Sequence, residues 1–495
     1  MRILLVNPKF PETYWSFRHA LPFEGKRSVF PPLGLLTVSS LLPRDCERRL
    51  IDLEVERLKD SHIEWADMIF ITGMLAQKKS LHEIVQRGRQ RGKLIVLGGP
   101  YVTSTIEGLP YADHIFQGEA ETTLPQFFAD LERGQAKRVY KAPERPPLSI
   151  TPVPDFGLVN LKKYSNMSVQ YSRGCPFSCE FCDIIEIYGR VPRTKSNQQI
   201  LAEFDTLKQL GWRGPLFIVD DNFIGNKKNV RLLLPDLIAW QKKNGYPFSL
   251  LTEASVNLAD DDDLLTAMKD AGFRRVFLGI ETPVEESLKE AQKSQNRGNL
   301  LNSVRKIQNH GMEVMAGFIV GFDNDPEDIF ERQIEFIRES AIPMAMVGML
   351  NALPDTQLWK RLEREGRLLG ADATGNNTIA TVNFIPKMDV ETLVSGYQRI
   401  MRTIYKPSEY YRRALDSLQR VPQDFPEAHQ YHGFKAVKAF LRVAFKLGVI
   451  DAERREFWRF FIHAAREHHD RMVELLRHAA MAYHFRKLNE SYGDT

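Results

Sequence analysis

Short apolar runs separated by helix-patterned stretches recur through the first 355 residues, and this alternation limits the possible folds more than any other feature. Within residues 1–140 the candidate strands are 3–6, 47–52, 68–72, 94–97 and 114–116, with helices expected at 33–42 and 80–91. Mostly apolar strands with helices between them predict an α/β domain built on a doubly wound parallel sheet covered on both faces. Ligands of such sheets sit at the carboxyl ends of the strands, where the strand order reverses. The candidates there are Asn7-Pro8, Pro32 and Gly34 opening the first helix, Thr72, Gly98-Gly99, and Gly118-Glu119. Each is weak alone, because glycine at a strand-to-helix turn commonly supplies only positive φ or close packing.

Five prolines between Pro143 and Pro154 rule out helix or central strand, so 141–160 reads as an extended linker. The alternation then resumes over 161–358. Strands are expected at 168–171, 216–220, 248–254, 275–280, 313–319 and 344–349, and helices at 197–210, 227–244, 259–271, 299–310 and 326–340. Six β/α repeats fit a partial TIM-like barrel, whose functional groups gather at the strands' carboxyl ends. Residues 359–495 form a C-terminal α-helical region, with a loop at 366–377 and helices at 388–405 and from 407 onward. The five histidines His463, His468, His469, His478 and His484 lack a tight ligand spacing and lie among Glu, Arg and Lys, which predicts a solvated helical face. A basic amphipathic helix resting on a membrane is the minor alternative.

Three of the four cysteines fall in one stretch after the first barrel strand: Cys175, Cys179 and Cys182, with Phe181 before the last. Three thiolates on a tight loop can hold three irons of a [4Fe-4S] cube and leave the fourth iron open. Four cysteines in 495 residues do not make a disulfide framework. A structural zinc site would need a fourth nearby ligand, which neither Asp183 nor Cys46 naturally supplies. Cys46 reads as a small buried hydrophobe. A net charge of +4 gives no electrostatic case for nucleic acid. No run approaches a membrane-spanning length, so a cytoplasmic protein without an integral membrane segment is expected.

The Cys175, Cys179, Cys182 triad with Phe181 resembles the signature of the radical S-adenosylmethionine (radical SAM) superfamily. That resemblance implies SAM chelating the open iron and its reductive cleavage to a 5′-deoxyadenosyl radical, with electrons from a low-potential donor such as flavodoxin or ferredoxin. The strand ends Val219-Asp220-Asp221-Asn222-Phe223, Thr252-Glu253-Ala254-Ser255 and Gly279-Ile280-Glu281-Thr282 are similar, in order, to motifs that hold SAM in this superfamily. By that likeness Asp220, Asp221 or Asn222 meets the amino group, Glu253 and Ser255 the ribose or methionyl part, and Glu281 the adenosine. Gly317, Gly321 and Phe322 would lie near adenine. One of Arg190, Arg193 and Lys195 would neutralise the carboxylate. The plain alternative for each acidic residue is a helix N-cap.

Taken in order, the N-terminal strand-end residues resemble the cobalamin-binding domain of B12-dependent radical SAM enzymes. The cobalt-ligating Asp-x-His-x-x-Gly loop of the mutases is absent. Its nearest look-alike, Asp60-Ser61-His62-Ile63-Glu64-Trp65, has Trp65 where glycine is required. The resemblance therefore implies cobalamin with no protein ligand to its lower cobalt face, or a domain kept as scaffold. The whole layout is similar to the group that includes hopanoid methylases and tetrapyrrole-modifying enzymes. This implies methyl transfer to an unactivated carbon of a small-molecule or lipid substrate. A radical cyclase, oxidase or rearrangement enzyme with the same domains is the runner-up, and a non-catalytic iron-sulfur redox sensor is the other class.

Overall fold

A computed structural model of the protein describes residues 1–492 apart from 106–108, 110, 297, 371–373, 377 and 423–433. The expected loop 366–377 therefore lies partly outside the described residues. Two six-stranded parallel sheets follow one another along the chain. The first contains β1 (Arg2–Asn7), β2 (Glu47–Asp52), β3 (Met68–Thr72), β4 (Leu94–Gly98), β5 (His114–Gln117) and β6 (Val139–Lys141), in the order β2-β1-β3-β4-β5-β6. In β1 the run Ile3 to Val6 is wholly buried, as a central strand covered by helices on both faces requires. The order reverses between β1 and β3, which places the crevice at the carboxyl ends of those strands.

The second sheet begins with β7 (Met167–Val169). A two-residue pair, β8 (Ser172–Arg173) and β9 (Arg193–Thr194), flanks the cysteine loop. The barrel continues through β10 (Gly214–Ile218), β11 (Phe248–Ala254), β12 (Phe273–Glu281), β13 (Glu313–Val320) and β14 (Ala345–Met349), in the order β14-β13-β12-β11-β10-β7. This is the open six-stranded α/β barrel that the alternation predicts. β7 stops earlier than expected because Asp220 captures the amides of Tyr171 and Ser172, each at 2.8 Å, and bends the chain into the loop. The sixth strand of the first sheet was not legible: it has three residues and runs one past position 140. The proline-rich segment is not uniformly extended either. It makes tight turns at Leu148–Ile150 and Phe156–Leu158, and Thr151 and Asp155 tie it to Glu121 and Ser39.

Of the tail helices, Val390–Ile404 packs beside β14, with Leu393 against Gly321 just past β13, and Pro407–Arg420, Phe434–Phe445, Arg454–Glu467 and Met472–Tyr492 close the amino end of the barrel. Tyr405 bonds the Ala345 carbonyl at 2.6 Å, and Arg477 pairs with Glu313 at the start of β13. Two of the five histidines depart from the solvated face expected of them. His478 and His484 are fully buried, His478 against Glu313 and His484 on the Tyr14 carbonyl. Cys46 is buried, as its small apolar character predicts. Among the described residues no helix is long and apolar enough to cross a membrane.

Candidate active site at the mouth of the barrel

The cysteine loop leaves β8 at Gly174, whose φ of +96° and neighbours leave no alternative residue: a Cβ there would lie 2.7 Å from the Gly189 carbonyl oxygen. The Cys175 amide bonds that same carbonyl at 3.2 Å, and the Glu180 amide bonds the Ala291 carbonyl at 3.0 Å. Glu180 also holds Arg361 at 2.6 Å, so both ends of the loop are anchored by protein. Phe181 packs near Phe322, ring centres 6.2 Å apart. Burial pushes the Cys175 and Cys182 thiols up, so thiolates there call for a cationic centre. Two amides point at the sulfurs: Asn222 Nδ2 lies 3.9 Å from Cys175 Sγ and Gln295 Nε2 lies 3.4 Å from Cys179 Sγ. Such outer donors are the usual support of metal-bound thiolates. The donor set fits a cluster with three protein ligands.

The strand ends around the loop carry acidic groups that are not caps. The following helices are capped by other side chains, Asn226 on the Asn229 amide and Asp261 on the Leu264 amide. Asp220 is buried and bonded to Tyr171 and Ser172, a structural role in bending β7 into the loop. Asp221 reaches the Gly174 amide at 3.3 Å, and burial raises its carboxyl to about 7. Asn222 and Ser255 bond one another at 3.1 Å. Glu253 projects into the lumen without a hydrogen-bond partner among the described residues. Burial, then Asp221, lifts its carboxyl to about 8. Such a desolvated acid is stabilised as a carboxylate only by an incoming cation.

Glu281 ends β12 with φ +64°, a left-handed conformation that a non-glycine residue adopts only when its surroundings hold it there. Its carboxylate meets Lys293 Nζ at 2.5 Å. Burial opposes the Lys293 charge, but Glu281 and then Cys179 hold its basicity up. Lys293 and Gln295 escaped the sequence reading because they sit in an irregular loop with no periodic signal. Beneath Glu281, a Cβ on Gly279 would lie 2.4 Å from Oε1 of that residue, so no side chain can crowd this wall. A cleft of about 320 Å³ lined by Phe177, Val256, Asn257 and Gln295 adjoins the loop.

The two sheets meet here. Arg173, one residue before the loop's glycine, pairs with Glu119 at 2.5 Å and Glu121 at 2.8 Å. Arg193 pairs with the other oxygen of Glu119 at 2.5 Å. The carboxyl end of β5 is thereby locked onto the base of the cysteine loop, and Glu119 and Arg193 engage one another across the domain boundary. Along the same edge, Gly34 and Gly118 face open space that a side chain would fill. Gly99 has φ +93° and lies against Thr72: a Cβ there would fall 2.2 Å from Oγ1. Gly98, the last residue of β4, and Pro32, at the start of the Leu33–Leu41 helix, lie along the same edge.

Comparison with known proteins gives the class to which these features belong. A model of the radical SAM superfamily matches residues 169–337, and a domain of unknown function, DUF4070, matches residues 356–494. The chain is 43% identical over 462 residues to an uncharacterised methyltransferase of Synechocystis, covering 92% of this chain and 86% of the relative. It is 34% identical over 471 residues to the hopanoid C-2 methylase of Rhodopseudomonas palustris, covering 93% and 88%. Among solved structures, the radical SAM methyltransferase TsrM of Kitasatospora setae, with cobalamin and a [4Fe-4S] cluster bound, superposes with a TM-score of 0.66 at 14% identity, over 97% of this chain and 99% of that one. The chain belongs to the radical SAM superfamily, whose members use a [4Fe-4S] cluster and SAM, within the methyltransferase family these relatives represent.

Proposed function

We propose that the protein is a cobalamin-dependent radical SAM methyltransferase acting on an unactivated carbon. The observation that carries the reading is the Glu119–Arg173 ion pair, which joins the ligand edge of a cobalamin-type sheet directly to the cysteine loop. When bound, the cluster with SAM supplies a hydrogen-abstracting radical, and the corrinoid supplies the methyl group. Cys175, Cys179 and Cys182 hold the cluster. Asp221, Asn222, Glu253 and Ser255 orient SAM, with Glu253 facing its positive charge and Glu281 fixing the adenosine side. Pro32, Gly34, Thr72, Gly98, Gly99 and Gly118 line the corrinoid. Arg193 and Glu119 keep the two cofactor sites in register rather than contacting SAM or corrinoid separately.

The working units are the sheet domain 1–140, the linker 141–160, the barrel 161–358 and the helical tail 359–495. A low-potential donor of the flavodoxin or ferredoxin kind reduces the cluster, in the cytoplasm. The methyltransferase relatives favour methyl transfer over the cyclase and oxidase readings. Anaerobic reconstitution with reductant, cobalamin and SAM tests the reading. The expected products are 5′-deoxyadenosine and, with substrate, S-adenosylhomocysteine. Deoxyadenosine without a methylated product, across candidate substrates, would overturn methyl transfer.

A further inference from the structure

A cavity of about 770 Å³ lies at the end of the barrel opposite the cysteines, between the amino ends of the strands and the tail helices. That is the size of a small-molecule site. Pro215, Ser249 and Glu313 line it from the strand starts, and Trp15, Phe440 and Phe461 line it from the covering segments. Its inner end reaches Leu251 and Met315. The next residues on the same faces of those strands are Glu253 and Gly317, so roughly 7 Å of strand separates the cavity from the level of the SAM-facing carboxylate. Trp15 sits against Phe277 there, ring centres 5.2 Å apart.

One guanidinium in this wall is unmatched. Arg275 has no hydrogen-bond or ion-pair partner among the described residues. Glu313 is held by Arg477 and His478, and Glu474 and Glu24, which line the same cavity, favour the Arg275 charge together with it. Burial, then Arg477, pulls the basicity of Arg275 down to about 10. Arginine offers only donors, so an occupant that satisfies it must bring an acceptor.

The outer wall is a helix that is apolar on two faces. In Phe434–Phe445 and its continuation Lys446–Ile450, Phe440 and Val443 face the cavity and Leu447 is buried. Leu441, Phe445 and Val449 repeat every four residues on the other side, where they are 59–61% exposed, and Val437 stands at the border, lining the cavity as well. A helix apolar all round is stable only when both sides are covered. Residues 437–450 include Lys438, Arg442 and Lys446 and no acidic residue, although Arg442 turns back onto the Pro22 and Phe23 carbonyls; in the turn that follows, the exposed Arg454 and Arg455 outnumber the exposed Glu453, and Asp451 is held by Arg486. An apolar stripe flanked by basic residues matches an anionic lipid surface.

We propose that this outer face rests on an anionic membrane and that the cavity behind it admits an amphipathic lipid. The apolar body of the lipid points along the aromatic wall toward the cluster, and an acceptor headgroup rests on Arg275. This names a substrate class and its source, and it depends on the methyltransferase reading above.

Sedimentation of the holoenzyme with phosphatidylcholine vesicles, with and without phosphatidylglycerol, tests the surface. The protein pellets with the anionic vesicles, and Leu441→Glu with Phe445→Glu weakens this on the order of tenfold or more, with melting and substrate-free SAM cleavage unchanged. A holoenzyme that stays in solution with both vesicle types overturns the proposal. So does a double variant that converts a dimer to a monomer, because a second copy would then be what covers the stripe. The cavity is tested with cis-parinaric acid, a fluorescent long-chain carboxylate. Arg275→Met weakens its capture about tenfold, and equal affinity in both proteins overturns the headgroup assignment. Vesicle binding by a protein that cleaves no SAM would strike the enzymatic reading and leave the surface standing.

Discussion

Glu253 and Glu313 lie on the lumen side of the same barrel, one toward each end, and their surroundings treat them in opposite ways. At the amino end Glu313 is buried and paired. Burial alone would raise its carboxyl, but Arg477 and then His478 hold it well below the ordinary range. At the carboxyl end Glu253 is partly buried, has no partner among the described residues and is lifted by its desolvation to about 8. A buried carboxylate with its cation supplied by the chain is part of the fold, whereas one left without a cation awaits a ligand that brings it. The contrast separates the reacting end of the barrel from the end that the tail helices close.

The largest expected effect that sharpens this contrast is at the reacting end. Cys182→Ala should abolish 5′-deoxyadenosine formation and reduce the iron content of the anaerobically purified protein, while the melting temperature stays near that of the parent. Next comes the closed end. Glu313→Gln leaves Arg477 uncompensated in a buried site and should destabilise by about 3–5 kcal/mol in denaturant titration, with SAM affinity unchanged in the fraction that folds. An unchanged midpoint would break the comparison.

The smallest effect is at Glu253. Glu253→Gln should weaken SAM binding roughly 10- to 100-fold, the value of one charge-assisted contact, without loss of stability. The pH dependence supplies a second readout. In the ligand-free fold this carboxyl keeps its proton up to about 8, while the unfolded chain releases it near 4.5. Its contribution to stability is therefore present at low pH and is lost as the pH rises through that window, by up to about 1.4 kcal/mol per unit. Glu253→Gln should flatten that slope. Glu313 acts with the opposite sign, because its depressed carboxyl stabilises at neutral pH and that contribution is lost as the pH falls below about 4.5.

Both sheets were legible because their strands are short apolar runs bounded by turns, and the 47–52, 68–72 and 248–254 segments coincide with observed strands. The acidic strand ends could be located but not sorted. Asp220 serves the bend of the chain and Glu253 stands free, yet both are carboxylates at similar positions. Relations over long separations were out of reach. Glu119 and Arg193 lie 74 residues apart, and nothing local to either reveals the other. His478 looked solvated because its sequence neighbours are charged; its burial depends on Glu313, on a barrel strand far earlier in the chain. The exposed face of Phe434–Phe445 was equally hidden, since periodicity marks apolar positions without showing which of them find a neighbour.

The anchoring of the cysteine loop bears on how the enzyme is assembled and repaired. Gly174 against Gly189, Asp220 on two amides, and Glu180 on both Ala291 and Arg361 hold the loop's ends through protein contacts alone. The expected consequence is that iron enters a chain whose loop ends are already fixed, which reconstitution of the iron-free folded protein with iron and sulfide would show. On the same grounds, a cluster lost to oxygen should be restored by iron and sulfide without denaturing the chain.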